Sequence, residues 1–270
     1  MLMSVIMKDD KIEFSDITSP EKLCEFLRCK GSNHKAYFQY TDMTALNGIL
    51  KKRTIWLTRA DKLNDLAECN GMNSAEKQKT YIASFTFGSM ESVAMWFLYP
   101  RDHKAAVRVK FSQKIMNALQ KLLTSTYRAY STKEDDPTEY LIEEFYFTDI
   151  IYAHNGSLEY NMQKLLNSNK DKEKEQEGTV ELLKKSNELK GLIKTAPWAY
   201  EKEVRLIVKL AQTEDTPEKI AVKFPDNAQG ISVTLGPVNS YIKLLEVECG
   251  KSSLTNQISN EFTARFIQKQ

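Results

Sequence analysis

Four cysteines and three histidines are all that this chain of 270 residues contains, and they are scattered. Cys24, Cys29, Cys69 and Cys249 show no C-x-x-C spacing, which speaks against a structural zinc site and leaves them as reduced thiols. His34, His103 and His154 are not spaced toward a serine or cysteine in a triad-like pattern, so triad chemistry is a poor fit. The sequence also lacks G-x-x-x-x-G-K-[ST], G-x-G-x-x-G, G-x-S-x-G and H-E-x-x-H, the common nucleotide, hydrolase and metalloprotease signatures. An excess of one charge is missing too. Lys and Arg number 38 against 36 Asp and Glu, a formal charge of +2 that gives no whole-protein reason to expect nucleic acid or membrane as partner. Nucleic acid stays open through local patches. No apolar run approaches the roughly 18 residues of a membrane span, and Met1–Met7 is too short for a signal core before Lys8, Asp9 and Asp10. A cytoplasmic protein is expected.

What is present is an ordinary globular composition, 41% hydrophobic and 27% charged. The pattern predicts one α+β domain: a twisted, mostly antiparallel mixed sheet with flanking helices and a helical insertion. Residues 1–35 read as an arm and a helix opened by Ser19-Pro20-Glu21, and 36–156 as the first part of the domain. The insertion spans 157–197, and 198–270 completes the domain, with 241–249 ambiguous and a terminal helix over 254–267. Strands are predicted at 36–40, 54–58, 81–87, 105–111, 145–152, 204–210, 220–224 and 232–235. Helices follow Asp42, Gly88-Ser89 and Ser112, the last with Ile115, Met116, Leu119 and Leu122 inward.

Four local clusters carry candidate chemistry. From Val204, apolar residues alternate with Arg205, Ile207 and Lys209, a half-buried strand; extended backward, the pleat puts Glu201, Glu203 and Arg205 on the opposite face. That face is either a solvated strand with ion pairs or a site in which Arg205 holds the glutamates. Gln39 and Tyr40 sit on an aromatic strand, which packing alone also explains. Asn64-Asp65-x-x-Glu68 places an amide and two acids in a loop, or caps a helix there. Ser84-Phe85-Thr86, with Trp96 and Tyr99 downstream, sets hydroxyls beside a tryptophan that stacks on a planar ligand or simply packs. Two chemistries use such parts. Cleavage of a nicotinamide glycosidic bond wants a carboxylate near the ribose and aromatic walls, met by Glu203 with Tyr40, Phe85 and Trp96. A magnesium-dependent nuclease wants carboxylates around the metal, supplied by Asp65, Glu68, Glu201 and Glu203.

In order, Tyr37-Phe38-Gln39-Tyr40, the Leu46–Trp56 unit, Asn64–Glu68, Ser84-Phe85-Thr86, Met95-Trp96-x-x-Tyr99, Ile151-Tyr152, Trp198-x-Tyr200-Glu201-x-Glu203-x-Arg205 and Leu235-Gly236-Pro237 resemble the bacterial domain of unknown function 2971. Leu66 stands where that family usually has proline. The layout also resembles, more distantly, the ADP-ribosyltransferase fold. That resemblance implies NAD as cofactor, no metal, and catalytic roles for Glu203, Ser84 and Tyr40. Gln39, Phe85, Trp96, Asn64 and Asp65 would bind the cofactor, with Glu68, Tyr99, Glu201 and Arg205 supporting. It implies an ADP-ribosyltransferase-like enzyme or NAD-binding protein of a bacterial cytosol, defence or toxin related, with a nucleotide-type ligand and a macromolecular target. The alternatives are the metal-dependent nuclease and a non-catalytic ligand-sensing or interaction module.

Overall fold

The computed structural model describes residues 20–64, 69, 71–133, 136, 138–154, 157–158, 189–211, 216–226, 229–238 and 249–251. The expected arm at 1–18, the body of the insertion at 159–188, the 241–248 segment and the terminal helix lie outside them, as do Asp65–Glu68.

Helix α1 (Pro20–Ser32) begins at the expected proline, with Glu21 in its first turn, and buries Leu23, Cys24 and Leu27. Strand β1 (Ala36–Asp42) runs into α2 (Met43–Lys51), where the Asp42 carboxylate accepts from the Thr44 and Ala45 amides. Then follow β2 (Thr54–Arg59), α3 (Ser74–Lys79), β3 (Thr80–Thr86) and α4 (Val93–Leu98). The last helix starts later than its Gly88-Ser89 signal suggests, behind a Ser92 cap. Arg108 donates to the carbonyls of both Gly88 and Ser89 at 2.9 Å, which holds those residues in a loop. Beyond it come β4 (Ala106–Ser112) and α5 (Gln113–Thr126), which is capped by Ser112 and turns Ile115, Met116, Leu119 and Leu123 inward. Leu123 takes the place expected of Leu122, because the four-residue step from Leu119 keeps it on the buried stripe.

The second half contributes β5 (Arg128–Ser131), β6 (Glu139–Asp149), β7 (Ile151–His154), β8 (Ser157–Leu158), β9 (Ile193–Thr195), β10 (Glu203–Leu210), β11 (Lys219–Lys223), β12 (Ile231–Leu235) and β13 (Cys249–Lys251). The single strand expected through Tyr152 is two: the chain leaves the large sheet at Ile150 and enters a small one ordered β8-β7-β9. The described ends of the expected helical insertion therefore include strands.

The α+β class holds, and the large sheet is antiparallel except at β12–β13. Its shape differs from a simple open sheet. Strands run β10-β6-β5-β11-β2-β3, and β10 also pairs with β3 from Glu203↔Thr86 to Lys209↔Thr80, so these six close on themselves like a barrel. The arm β1-β4-β12-β13 continues from β3. One core fills this body, with Tyr37, Phe85, Phe111, Phe147, Val204, Leu206 and Val208 among its members. Strand β10 is buried on both faces rather than one. Its outer face meets a second apolar layer in which Ile82 and Ile207 pack with Leu23, Leu27, Ile151, Leu189 and Leu192, so α1 and the small sheet form a roof over it. No helix among the described residues is long and apolar enough to cross a membrane.

Candidate functional site

The site originates in a split. One edge of β3 is taken up by β10, so β1 and β2 share the other. Strand β1 touches it only at Phe38↔Thr86, and β2 only at Thr58↔Ile82 and Arg59↔Tyr81. Between these points the two strands diverge, and α2 joins their separated ends. The Ser84 carbonyl falls in the gap, where the Gln39 side-chain amide donates to it at 3.2 Å. A cavity of about 1420 Å³ opens there, with Phe38, Tyr40, Ser84, Thr86, Glu201 and Glu203 among its lining residues. Period-two alternation sets Ser84, Thr86, Glu203 and Arg205 on one face, through the Arg205↔Ser84 register.

A buried ion cluster forms one wall. Glu203 is clamped by Arg205, with Nε to Oε1 at 2.6 Å and Nη2 to Oε2 at 3.1 Å, and Lys194 Nζ reaches Oε2 at 3.1 Å. The same ammonium donates to Glu201 Oε2 at 2.7 Å, and the Tyr99 hydroxyl donates to the other Glu201 oxygen. Arg205 is wholly buried and also donates to the Gly191 carbonyl at 2.8 Å, while the Glu203 amide donates to the Tyr152 hydroxyl. Burial pushes the Glu203 carboxyl up, but the Arg205 guanidinium and the Lys194 ammonium outweigh it and hold the group at about 2. For Glu201 burial wins, and its carboxyl is raised despite the bonds from Lys194 and Tyr99. Tyr99 is likewise raised, by burial and by the Glu201 carboxylate its hydroxyl serves. Two acids and two cations leave this wall formally neutral.

The cavity brings together Gln39, Tyr40, Asn64, Ser84, Phe85, Tyr99, Glu201 and Glu203 of the residues singled out from sequence. Their roles differ. Ser84 is exposed on the cavity floor. The Tyr40 hydroxyl accepts from the Ser92 amide and its ring meets Trp96 edge-on at 4.8 Å. The Phe85 ring is 3% exposed and points into the core, against Tyr37 and Phe111. Trp96, expected as a stacking surface for a ligand, is instead 1% exposed behind Tyr40 with its indole N–H on Glu91, because α4 turns that side of its single turn and a half toward the sheet. Arg205 stands behind Glu203 rather than on the lining. Asp65 and Glu68 lie outside the described residues.

Sequence reading missed Lys194, Trp56 and Trp198, all on the lining. Trp56 carries the one available signal: on a strand whose Ile55 and Leu57 face the core, an aromatic at the alternate position is turned outward. Lys194 offered none, since it sits in the segment read as helical. Its ammonium lies between the two carboxylates, in the place a divalent cation would need, and among the described residues no group of three or more His, Cys, Asp or Glu is arranged to hold a metal. No family model, curated protein or solved structure matches this chain.

Proposed function

We propose that the protein binds a nucleotide of the NAD type in the split between β1 and β2, as an ADP-ribosyltransferase-like or NAD-binding protein. The observation that carries this is the divergence of the two strands, which gathers Tyr40, Ser84, Tyr99 and the Glu201–Lys194–Glu203 wall around one cavity. Its volume, about 1420 Å³, exceeds the roughly 300–1,000 Å³ of ordinary small-molecule pockets and suits a ligand in two linked halves. Arg101 and Lys219 on the lining supply charge for a diphosphate, and Trp56, Tyr99 and Trp198 supply ring surface. A bacterial defence or toxin-like setting with a macromolecular target follows from the resemblance alone.

Cleavage at the ribose needs a carboxylate whose negative charge meets the developing oxocarbenium. Glu203 is neutralised by Arg205 and Lys194, so turnover requires the Lys194 ammonium to leave it when ligand enters. If the ammonium stays, the protein is a ligand sensor. That second reading is favoured by the burial of the whole cluster. Calorimetric titration with NAD, alongside a nicotinamide-release assay, tests both. One-site binding is expected, abolished in Ser84→Trp, whose side chain fills the floor. Binding with nicotinamide release that Glu203→Gln eliminates assigns the enzyme, and binding without release assigns the sensor. Absence of heat with both NAD and ADP-ribose would overturn the nucleotide reading.

A further inference from the structure

Away from the ion cluster, the outer face of the barrel bears a second arrangement. Across three adjacent strands, Tyr130 on β5 is paired with Ala221 on β11, which is paired with Trp56 on β2. Their sequence neighbours Ala129, Ile220, Val222, Ile55 and Leu57 belong to the core, so this row faces outward. The small Ala221 lies between the two rings and is buried, and the strands that carry the rings are roughly 10 Å apart. Lys219 and Lys223 flank Ala221 on the same face of β11, roughly 13 Å from each other along the strand. The Lys223 ammonium sits 3.9 Å over the Tyr130 ring, and that of Lys219 is 5.9 Å from the Trp56 ring centre. Trp56 is 46% exposed, unusual for so large an apolar ring.

Arg128 lies two residues before Tyr130, on the same face, and is paired with Glu139, to which it donates at 2.6 Å, so the row's excess charge comes from Lys219 and Lys223. The row therefore carries more positive than negative charge although the chain as a whole is nearly neutral. Beside it, Thr54, paired with Lys223, has a hydroxyl that is buried without a hydrogen-bond partner, and Thr54 lines the cavity together with Trp56 and Lys219.

We infer that this row is a binding platform for single-stranded nucleic acid. Two splayed bases stack on Trp56 and Tyr130, and phosphates draw the Lys219 and Lys223 ammonium groups off the ring faces they now cover. Stacking on outward aromatics flanked by lysines suits any base, so little sequence preference is expected. A duplex keeps its bases stacked on each other and binds this row only through phosphate. The platform does not depend on the NAD reading. Tyr130 and Lys223 are not on the cavity lining, whereas Trp56 and Lys219 belong to both.

Fluorescence anisotropy with a labelled single-stranded oligonucleotide of about 12 nucleotides tests it. Saturable binding is expected, weakened about tenfold or more by Tyr130→Ala and by Trp56→Ala, and largely retained in Trp56→Phe, which keeps a ring. Lys223→Ala should reduce the slope of log affinity against log salt by about 0.7. NAD binding should be unchanged in Tyr130→Ala and Lys223→Ala, which separates failure here from failure of the nucleotide reading. Absence of saturable binding overturns the inference. So does affinity indifferent to both aromatic replacements in variants whose circular dichroism matches the wild type, or a duplex bound as tightly as the single strand.

Discussion

The outer face of the barrel is built from one alternation and finished in two ways. Over β10 it is roofed by α1 and the small sheet, and the charges beneath, Glu203, Arg205 and Lys194, are consumed by one another. Over β2 and β11 Trp56 is half-exposed although Thr54 and Ala221 beside it are buried, and the charges there, Lys219 and Lys223, lie over the Trp56 and Tyr130 rings. A charged residue on a strand face thus says little until what covers it is known. Under a roof it must be paired, because leaving water costs several kcal/mol per ion. In the open it remains available to a ligand.

Breaking the roofed side should cost most. Arg205→Met leaves Glu203 buried without its bidentate partner, and a loss of about 3–5 kcal/mol is expected by urea unfolding. Adding Glu203→Gln should recover part of it; a double variant as unstable as the sum of the single ones would mean the two side chains act independently. Next comes the fit of the roof. A methyl at Gly31 would meet the Thr148 backbone at 2.5 Å, so Gly31→Ala should lift α1 from β6 at a cost of about 1–3 kcal/mol in the same assay.

Acid gives a finer test. Glu203 titrates at about 2 in the folded protein against an ordinary 4.5, so its contribution is complete above 4.5 and lost as pH falls toward 2. Glu201 is shifted the other way and opposes this as pH rises past its ordinary value. Glu203→Gln should flatten the dependence of stability on pH between about 2 and 4.5. The smallest effect belongs to the Trp56 side. Trp56→Ala should change stability by no more than about 0.5 kcal/mol, and a larger loss in thermal unfolding would show that the ring is a structural support.

Sequence alone showed much of this, unevenly. Alternation placed Glu203 and Arg205 opposite Val204 and Leu206, and that is how they lie, since a strand's period is fixed by its backbone. Glu201, which the same pleat was extended to include, instead ends a 3-10 helix over Ala196–Glu201, and the strand begins only at Glu203. Alternation could not tell that the polar face was covered, because Glu203 and Arg205 look the same in sequence whether they meet water or each other. Barrel closure was equally invisible: the pairing of β10 with β3 joins residues more than a hundred positions apart, and a face pattern names no partner. Lys194 was missed for the same reason, being brought to Glu201 and Glu203 by the pairing of β9 with β7 in a sheet that no local pattern announced. Trp96 was misjudged because its spacing within α4 fits packing and stacking alike, and only the neighbouring Tyr40 decides between them.

The split at Ser84 has a consequence for how this molecule can change. The strand ends that flank it are tied by α2, a helix of nine residues, while the ring of six strands closes elsewhere. The aperture is therefore a length, set by one short connector. Residues gained or lost between Lys51 and Thr54 would resize the opening without disturbing the register of β10 on β3. The width of the split can drift among descendants of this chain while the scaffold that folds them stays the same.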